Sequence, residues 1–197
     1  MPAPLLHLAS ASPRRQEILQ GLGISFSFAG VQLDERRLSG EAAETMVLRL
    51  AAGKATLANT AASRVVIAAD TAVVAGAEIY GKPRDRDEGL AMLASLSGRT
   101  HRVLTAVAVL SRGDIQTALS TTEVRFREIL PDEALAYWQS GEPCDKAGAY
   151  AIQGLGGIFV ESISGSYSGV VGLPVFETAR LLRTAGFDLV FGSHRKP

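Results

Sequence analysis

The chain has 197 residues, 47% of them hydrophobic and 20% charged, with 20 lysines and arginines set against 20 aspartates and glutamates. That length and mix suit one folded domain over residues 1–197 and exclude a largely disordered chain. A formal net charge of zero excludes the broad electrostatic attraction on which nonspecific nucleic-acid binders depend, so an anionic ligand must be held locally.

In chain order, "PLLHLAS" is a short apolar run ending in serine. Pro13 suits a first helical position because its missing N–H has no helical partner, which leaves Ser12 as the N-cap. Ile18, Leu19 and Leu22 form the apolar face of that helix, and Gly21 and Gly23 mark its end. "ISFSF" alternates as a half-buried strand does, and a polar loop with Asp34 and Glu35 follows. From Glu41 to Ala62 the three, four, three spacing of Val47, Leu50, Lys54 and Leu57 predicts a helix whose apolar stripe a lysine interrupts. "VVIAAD" has the β-branched character of a strand buried on both faces; it is expected to stop at Asp70 and Thr71, with "AVVA" as a second apolar piece.

Residues 87–97 read as a helix, "VLTAVAVL" and "IQTALSTTEVRF" as a hairpin turned by "SRGD", and "DEALAYWQS" as another helix. A glycine-rich passage leads to a last helix over "VFETARLLRTAG". This interleaving predicts an α/β fold with a mixed, twisted sheet and flanking helices. The single cysteine, Cys144, has no internal partner and suits a reducing compartment. No apolar run approaches a membrane span and "MPAPLLHLA" lacks the basic start of a signal peptide. A cytoplasmic protein with neither membrane nor nucleic-acid partner is therefore expected.

Several motifs carry candidate chemistry. In "SASPRR", Ser10, Ser12, Arg14 and Arg15 crowd a helix N-terminus, where backbone N–H groups already attract phosphate and two arginines are unfavourable without an anion. A solvent-facing arginine pair is the competing reading. Lys54, taken alone, reads as a lysine snorkelling to water. Asp70 fits a turn-forming aspartate as well as one facing a ligand at a strand end. "GAEIYGKP" nearly satisfies the P-loop pattern, but Pro83 stands where the metal-binding hydroxyl belongs and removes a backbone donor; Lys82 remains as a point charge for phosphate. "GLGGIF" lacks the third glycine of a dinucleotide fingerprint and reads as a tight turn. The scattered histidines and lone cysteine disfavour zinc chemistry.

Taken together, "SASPRR", "AADT", "GKPRD", "DKAGAYAIQGLGG" and "GSYSGVVGLP" closely resemble the motifs of the Maf family of nucleoside triphosphate pyrophosphatases, in the same order, from Leu8 to about Leu182. The resemblance implies a two-lobed α/β structure around a central cleft, of the kind shared with inosine triphosphate pyrophosphatases, and often a homodimer. It implies hydrolysis of the α–β phosphoanhydride of a small nucleotide substrate with a divalent metal, Mg²⁺, Mn²⁺ or Co²⁺. Arg14, Thr71 and Gln153 match positions associated with dTTP and UTP preference. Asp70 matches the catalytic base, and Glu35, Lys54 and Lys82 match other site residues, with Asp70 and Glu35 as the metal-orienting pair. A nucleotide-sensing regulator of cell division is the alternative that the same resemblance raises. Two departures stand out: Gly53 replaces a more usual glutamate, at about 1 kcal/mol of helix stability relative to alanine, and Cys144 replaces an aliphatic residue.

The physical chemistry of the reaction agrees with such a set. A triphosphate repels incoming hydroxide, so its site needs cations and aimed donors. Arginine supplies a planar fork and lysine a movable charge. An ordinary aspartate is about three pH units too weak as a base at pH 7, a handicap of about 4 kcal/mol that a metal-acidified water removes. A glutamine amide both donates and accepts, as a uracil or thymine edge requires, although Gln153 also reads as a loop-bracing amide.

Overall fold

A computed structural model describes residues 6–58, 65–187 and 189. The elements in order are β1 (Leu6–Leu8), α1 (Pro13–Gly21), β2 (Phe26–Phe28), α2 (Ala43–Leu57), β3 (Val65–Ala75), β4 (Glu78–Tyr80) and α3 (Arg86–Leu96). After them come β5 (Thr100–Ser111), β6 (Asp114–Phe126), α4 (Pro131–Gln139), β7 (Val160–Ser164), α5 (Tyr167–Val171) and α6 (Val175–Thr184). The expected helix over 41–62 spans Ala43–Leu57, and residues 59–64 lie outside the described ones. Three short 3-10 turns, at Glu142–Asp145, Ala147–Ala149 and Leu155–Phe159, occupy the glycine-rich passage; the last of them is "LGGIF".

All seven strands join one sheet of order β2-β1-β3-β5-β6-β7, with β4 also pairing β3. β1 runs parallel to β2 and β3, and the other pairs are antiparallel, so the sheet is mixed as expected. The β5–β6 hairpin turns where "SRGD" predicts, with Ser111 opposite Asp114. One expectation fails. β3 does not stop at Asp70 and Thr71 but runs on through "AVVA", with Asp70 opposite Ala106 and Thr71 opposite Thr105 on β5. The two apolar pieces are one strand because the ladder to β5 continues unbroken across the polar pair.

Alternation along β3 distributes its side chains between two faces. Val66, Ala68, Ala72 and Val74 pack with Val47, Leu50 and Ala51 of α2. Val65, Ile67 and Ala69 face the other way, onto Leu19 of α1 and Leu181 and Leu182 of α6. Further along the same face, Val73 and Val103 join Met92, Leu93, Ile129, Tyr137 and Phe159 in a third cluster beneath α3 and α4.

This arrangement produces two halves around a cleft. β1 covers the outer edge of β3 at Val65–Ile67, and β4 covers it at Val73–Ala75. Residues 68–72 between them have no strand partner on that edge among the described residues. Because β1 is parallel to β3 and β4 antiparallel, the chain leaves both short strands at the gap. The loop from Ala9 to Ser12 therefore enters from one side and Gly81–Lys82 from the other.

Candidate active site

The first loop leaves β1 by donating from Ala9 N–H to Ile67 O at 2.8 Å, and then α1 begins at Pro13. Ser12 is the N-cap, with extended backbone, but its hydroxyl makes no capping bond. Consecutive helical residues point about 100° apart, so the two arginines part company. Arg15 turns inward: Nε donates to Gly172 O at 2.8 Å, Nη1 to Ser10 Oγ at 3.3 Å and Nη2 to Thr71 Oγ1 at 3.4 Å. Burial pushes its guanidinium below the ordinary arginine value, against the pull of Asp70. Arg14 reaches across to Asp145, Nη1 to Oδ2 at 3.5 Å.

Lys54 does not snorkel. Its ammonium lies 2.7 Å from Asp70 Oδ1 and 2.6 Å from Glu35 Oε1, and Lys54 and Asp70 are only 9% and 7% exposed. The helix aims it inward because Leu50 and Ala51 on the same side of α2 pack against β3. Burial raises the Asp70 carboxyl above the ordinary aspartate value, opposed by Lys54 and Arg15. Gly53 has its own reason: a Cβ there would lie 3.1 Å from Leu33 Cδ2, in the loop that carries Glu35.

Thr71 belongs to a directed hydrogen-bond chain. Thr105 Oγ1 donates to Gly169 O at 2.7 Å, so its proton is committed. At 3.0 Å, Thr71 Oγ1 must then donate to Thr105 Oγ1. Thr71 also receives Arg15 Nη2, which leaves its hydroxyl as an acceptor towards any ligand.

A cavity of about 230 Å³ gathers Ser12, Arg14, Arg15, Glu35, Thr71, Lys82 and Gln153. A neighbouring one of about 290 Å³ shares Ser12, both arginines, Glu35 and Lys82 and adds Ser10 and Lys54. Asp70 lines neither and reaches the cleft through Lys54. Nine of the ten residues expected from the sequence thus line one or both of these cavities, and the tenth is bonded to one of them. Three others went unassigned. Asp145, in both cavities, pairs with Arg14 and with Lys146 Nζ. Burial would raise its carboxyl, but Lys146, Arg14 and Lys82 hold it below the usual range. Tyr150 closes the apolar end beside Val73 and Val103. The signal for the first two was present in "CDKAGAY", whose acid and base are adjacent in a glycine-rich passage.

The residues fit a hard divalent cation. Glu35 and Asp70 already bracket a positive charge on Lys54, and carboxylate oxygens suit Mg²⁺ or Mn²⁺. No group of three or more His, Cys, Asp or Glu side chains with metal-holding geometry exists among the described residues. Such a site would complete its shell with phosphate oxygens and water, as magnesium sites with one or two carboxylates do.

Residues 5–185 match the family described as "Maf-like protein". The chain belongs to the Maf family. Curated relatives include the "dTTP/UTP pyrophosphatase" of Methylobacillus flagellatus, 52% identical over 184 residues, covering 92% of each chain. Those of Methylococcus capsulatus and Myxococcus xanthus carry the same name. Both are 52% identical to this Maf chain, covering 92% of it and 91% of the first, and 94% of each for the second. A solved nucleoside-triphosphatase, or dITP/XTP pyrophosphatase, from Mycobacterium abscessus matches 63% of this chain and 74% of its own at 14% identity and a TM-score of 0.37.

Proposed function

We propose that this Maf chain is a nucleoside triphosphate pyrophosphatase acting on dTTP and UTP, yielding the nucleoside monophosphate and pyrophosphate. The relatives' shared name supports it. The observation that carries it within the molecule is convergence: Arg14, Arg15, Lys54 and Lys82, from three distant segments, border one cleft backed by Asp70. One domain over residues 1–197 houses the whole site in this reading.

Arg15 arrives pre-organised by three bonds and offers its remaining donors to phosphate. Arg14 and Lys82 are held near Asp145 until the substrate's own negative charge replaces that partner. A phosphate oxygen that competes for the Lys54 ammonium frees Asp70 Oδ1, a base already strengthened by burial. Asp70 then takes a proton as water adds to the α-phosphorus and the bond to the β-phosphate oxygen breaks. Pyrophosphate leaves, and no bond to the protein forms. A divalent cation held by Glu35 and Asp70 would acidify that water and offset phosphate charge. On the base, the Gln153 amide and the Thr71 acceptor meet the edge, where an N–H of uracil or thymine matches the acceptor.

Hydrolysis in ¹⁸O-labelled water should place one label in the monophosphate. Label in pyrophosphate overturns attack at the α-phosphorus. Asp70→Asn should abolish pyrophosphate release while still binding UTP, which also separates an enzyme from a protein that only senses nucleotides.

A further inference from the structure

Gln153 sits at the second central position of a β-turn, Ala151–Gly154, closed by Gly154 N–H to Ala151 O at 3.2 Å. Its amide is exposed and makes no hydrogen bond to a described residue, so the backbone on either side decides where it points. That backbone is fixed from behind. Before the turn, Ala151 N–H donates to Tyr137 Oη at 3.0 Å. After it, Leu155 N–H donates to Glu142 Oε2 at 2.9 Å and Gly156 N–H to Oε1 at 3.0 Å. Tyr137 Oη donates to Glu142 Oε1 at 2.7 Å and so joins the two anchors.

The fit is close enough to demand glycine. A Cβ on Gly154 would overlap the Glu142 carboxylate, and one on Gly156 would lie 2.5 Å from Tyr137 Oη and 3.0 Å from the Ala151 backbone. Burial works to raise the Glu142 carboxyl, yet the Gly156 and Leu155 amides and the Tyr137 hydroxyl outweigh it and hold it low. Ala151, Ile152 and Gln153 border the cavity, whereas Tyr137 and Glu142 do not.

We propose that Glu142 and Tyr137 are positioning residues for base selection, clamping both ends of the turn that aims Gln153. The inference rests on Gln153 as the selector. In Glu142→Gln one oxygen becomes an NH₂ facing a backbone N–H, so only one of the two backbone bonds survives. In Glu142→Gln, KM for UTP should rise about tenfold, kcat and the kinetics on GTP should stay within about twofold, and the Leu155 and Gly156 amides of the free protein should exchange about tenfold faster. Tyr137→Phe, which keeps the ring, carries the same expectation at smaller size and serves if Glu142→Gln fails to fold.

A double-mutant cycle then isolates the route of action. Adding Glu142→Gln to Gln153→Ala should change the UTP to GTP ratio no further, because Glu142 acts through Gln153. An additive further loss overturns the proposal, as does a Glu142→Gln protein with wild-type ratio and wild-type amide exchange. Failure of the parent reading looks different: Gln153→Ala itself would then retain the wild-type ratio, and the preference attributed to the clamp falls with it.

Discussion

Lys54 and Asp70 are both within a tenth of full burial and 2.7 Å apart, and Glu35 closes on the same ammonium from solvent at 2.6 Å. Removing one member of such a buried pair costs more than the pair contributes, because the survivor keeps its charge without a partner. Asp70→Asn, which retains an oxygen for Lys54, is therefore the informative change for activity. Arg15 is the other residue whose geometry leaves little latitude, since its guanidinium spans Gly172, Ser10 and Thr71 at once. A lysine there reaches one of the three. Arg15→Lys should lower folding stability by about 2 kcal/mol in urea titration and raise KM for UTP. At this scale Arg15, Ser10 and Lys82 stood out as phosphate donors on their own chemistry, whereas Lys54 and Thr71 were named only through the family resemblance: an apolar stripe with one lysine reads the same whether the amine swims out or meets a carboxylate sixteen residues on. Glu142 and Tyr137 stayed invisible because their partners, at Ala151, Leu155 and Gly156, are chosen by a fold and not by spacing.

Among elements, α2 announced itself through periodicity and α1 through Pro13 at its first position, although Ser12 makes no capping bond and the working caps lie elsewhere. Asp85 opens α3 by accepting from Glu88 N–H at 2.9 Å, and Glu133 in α4 accepts from Leu130 N–H at 3.0 Å. The β5–β6 hairpin was legible for a similar local reason. β3 was not, since a polar Asp-Thr pair inside an apolar run imitates a strand end until its neighbour β5 is known. Helix packing carries a sharper demand than periodicity reveals: Gly89 of α3 lies flat against the Trp138 ring of α4, and a Cβ would enter the indole. Helix propensity favours alanine by about 1 kcal/mol, whereas overpacking costs about 1–3 kcal/mol, so packing decides the sign. Gly89→Ala should lower the thermal midpoint and alter Trp138 fluorescence, both read in one melting experiment.

Across the molecule, acid sensitivity comes from groups that do not themselves line the cleft. His101 is 2% exposed, bonded through Nε2 to Tyr150 Oη at 2.9 Å, with no partner for Nδ1 among the described residues; burial pushes it from 6.5 to about 4. Between those values the unfolded chain binds the proton and the folded chain does not. Stability therefore falls as pH drops through this window, by about 3 kcal/mol at full effect. His101→Gln should flatten the decline of the melting temperature between pH 6.5 and 4. Glu41 acts lower: its hydrogen bond from Arg49 and that from the Leu38 amide hold it at about 2, so its contribution is intact above 4.5 and disappears towards 2.

The five residues of β3 between its contacts with β1 and β4 lie on a strand that passes without interruption from one half of the protein to the other, fastened along its far side to β5. At about 3.3 Å per residue they form a stiff ruler about 16 Å long. The mouth of the cleft is thus gauged by backbone that cannot bend like a hinge, and accommodating a nucleotide falls to the loops and long side chains along its rim.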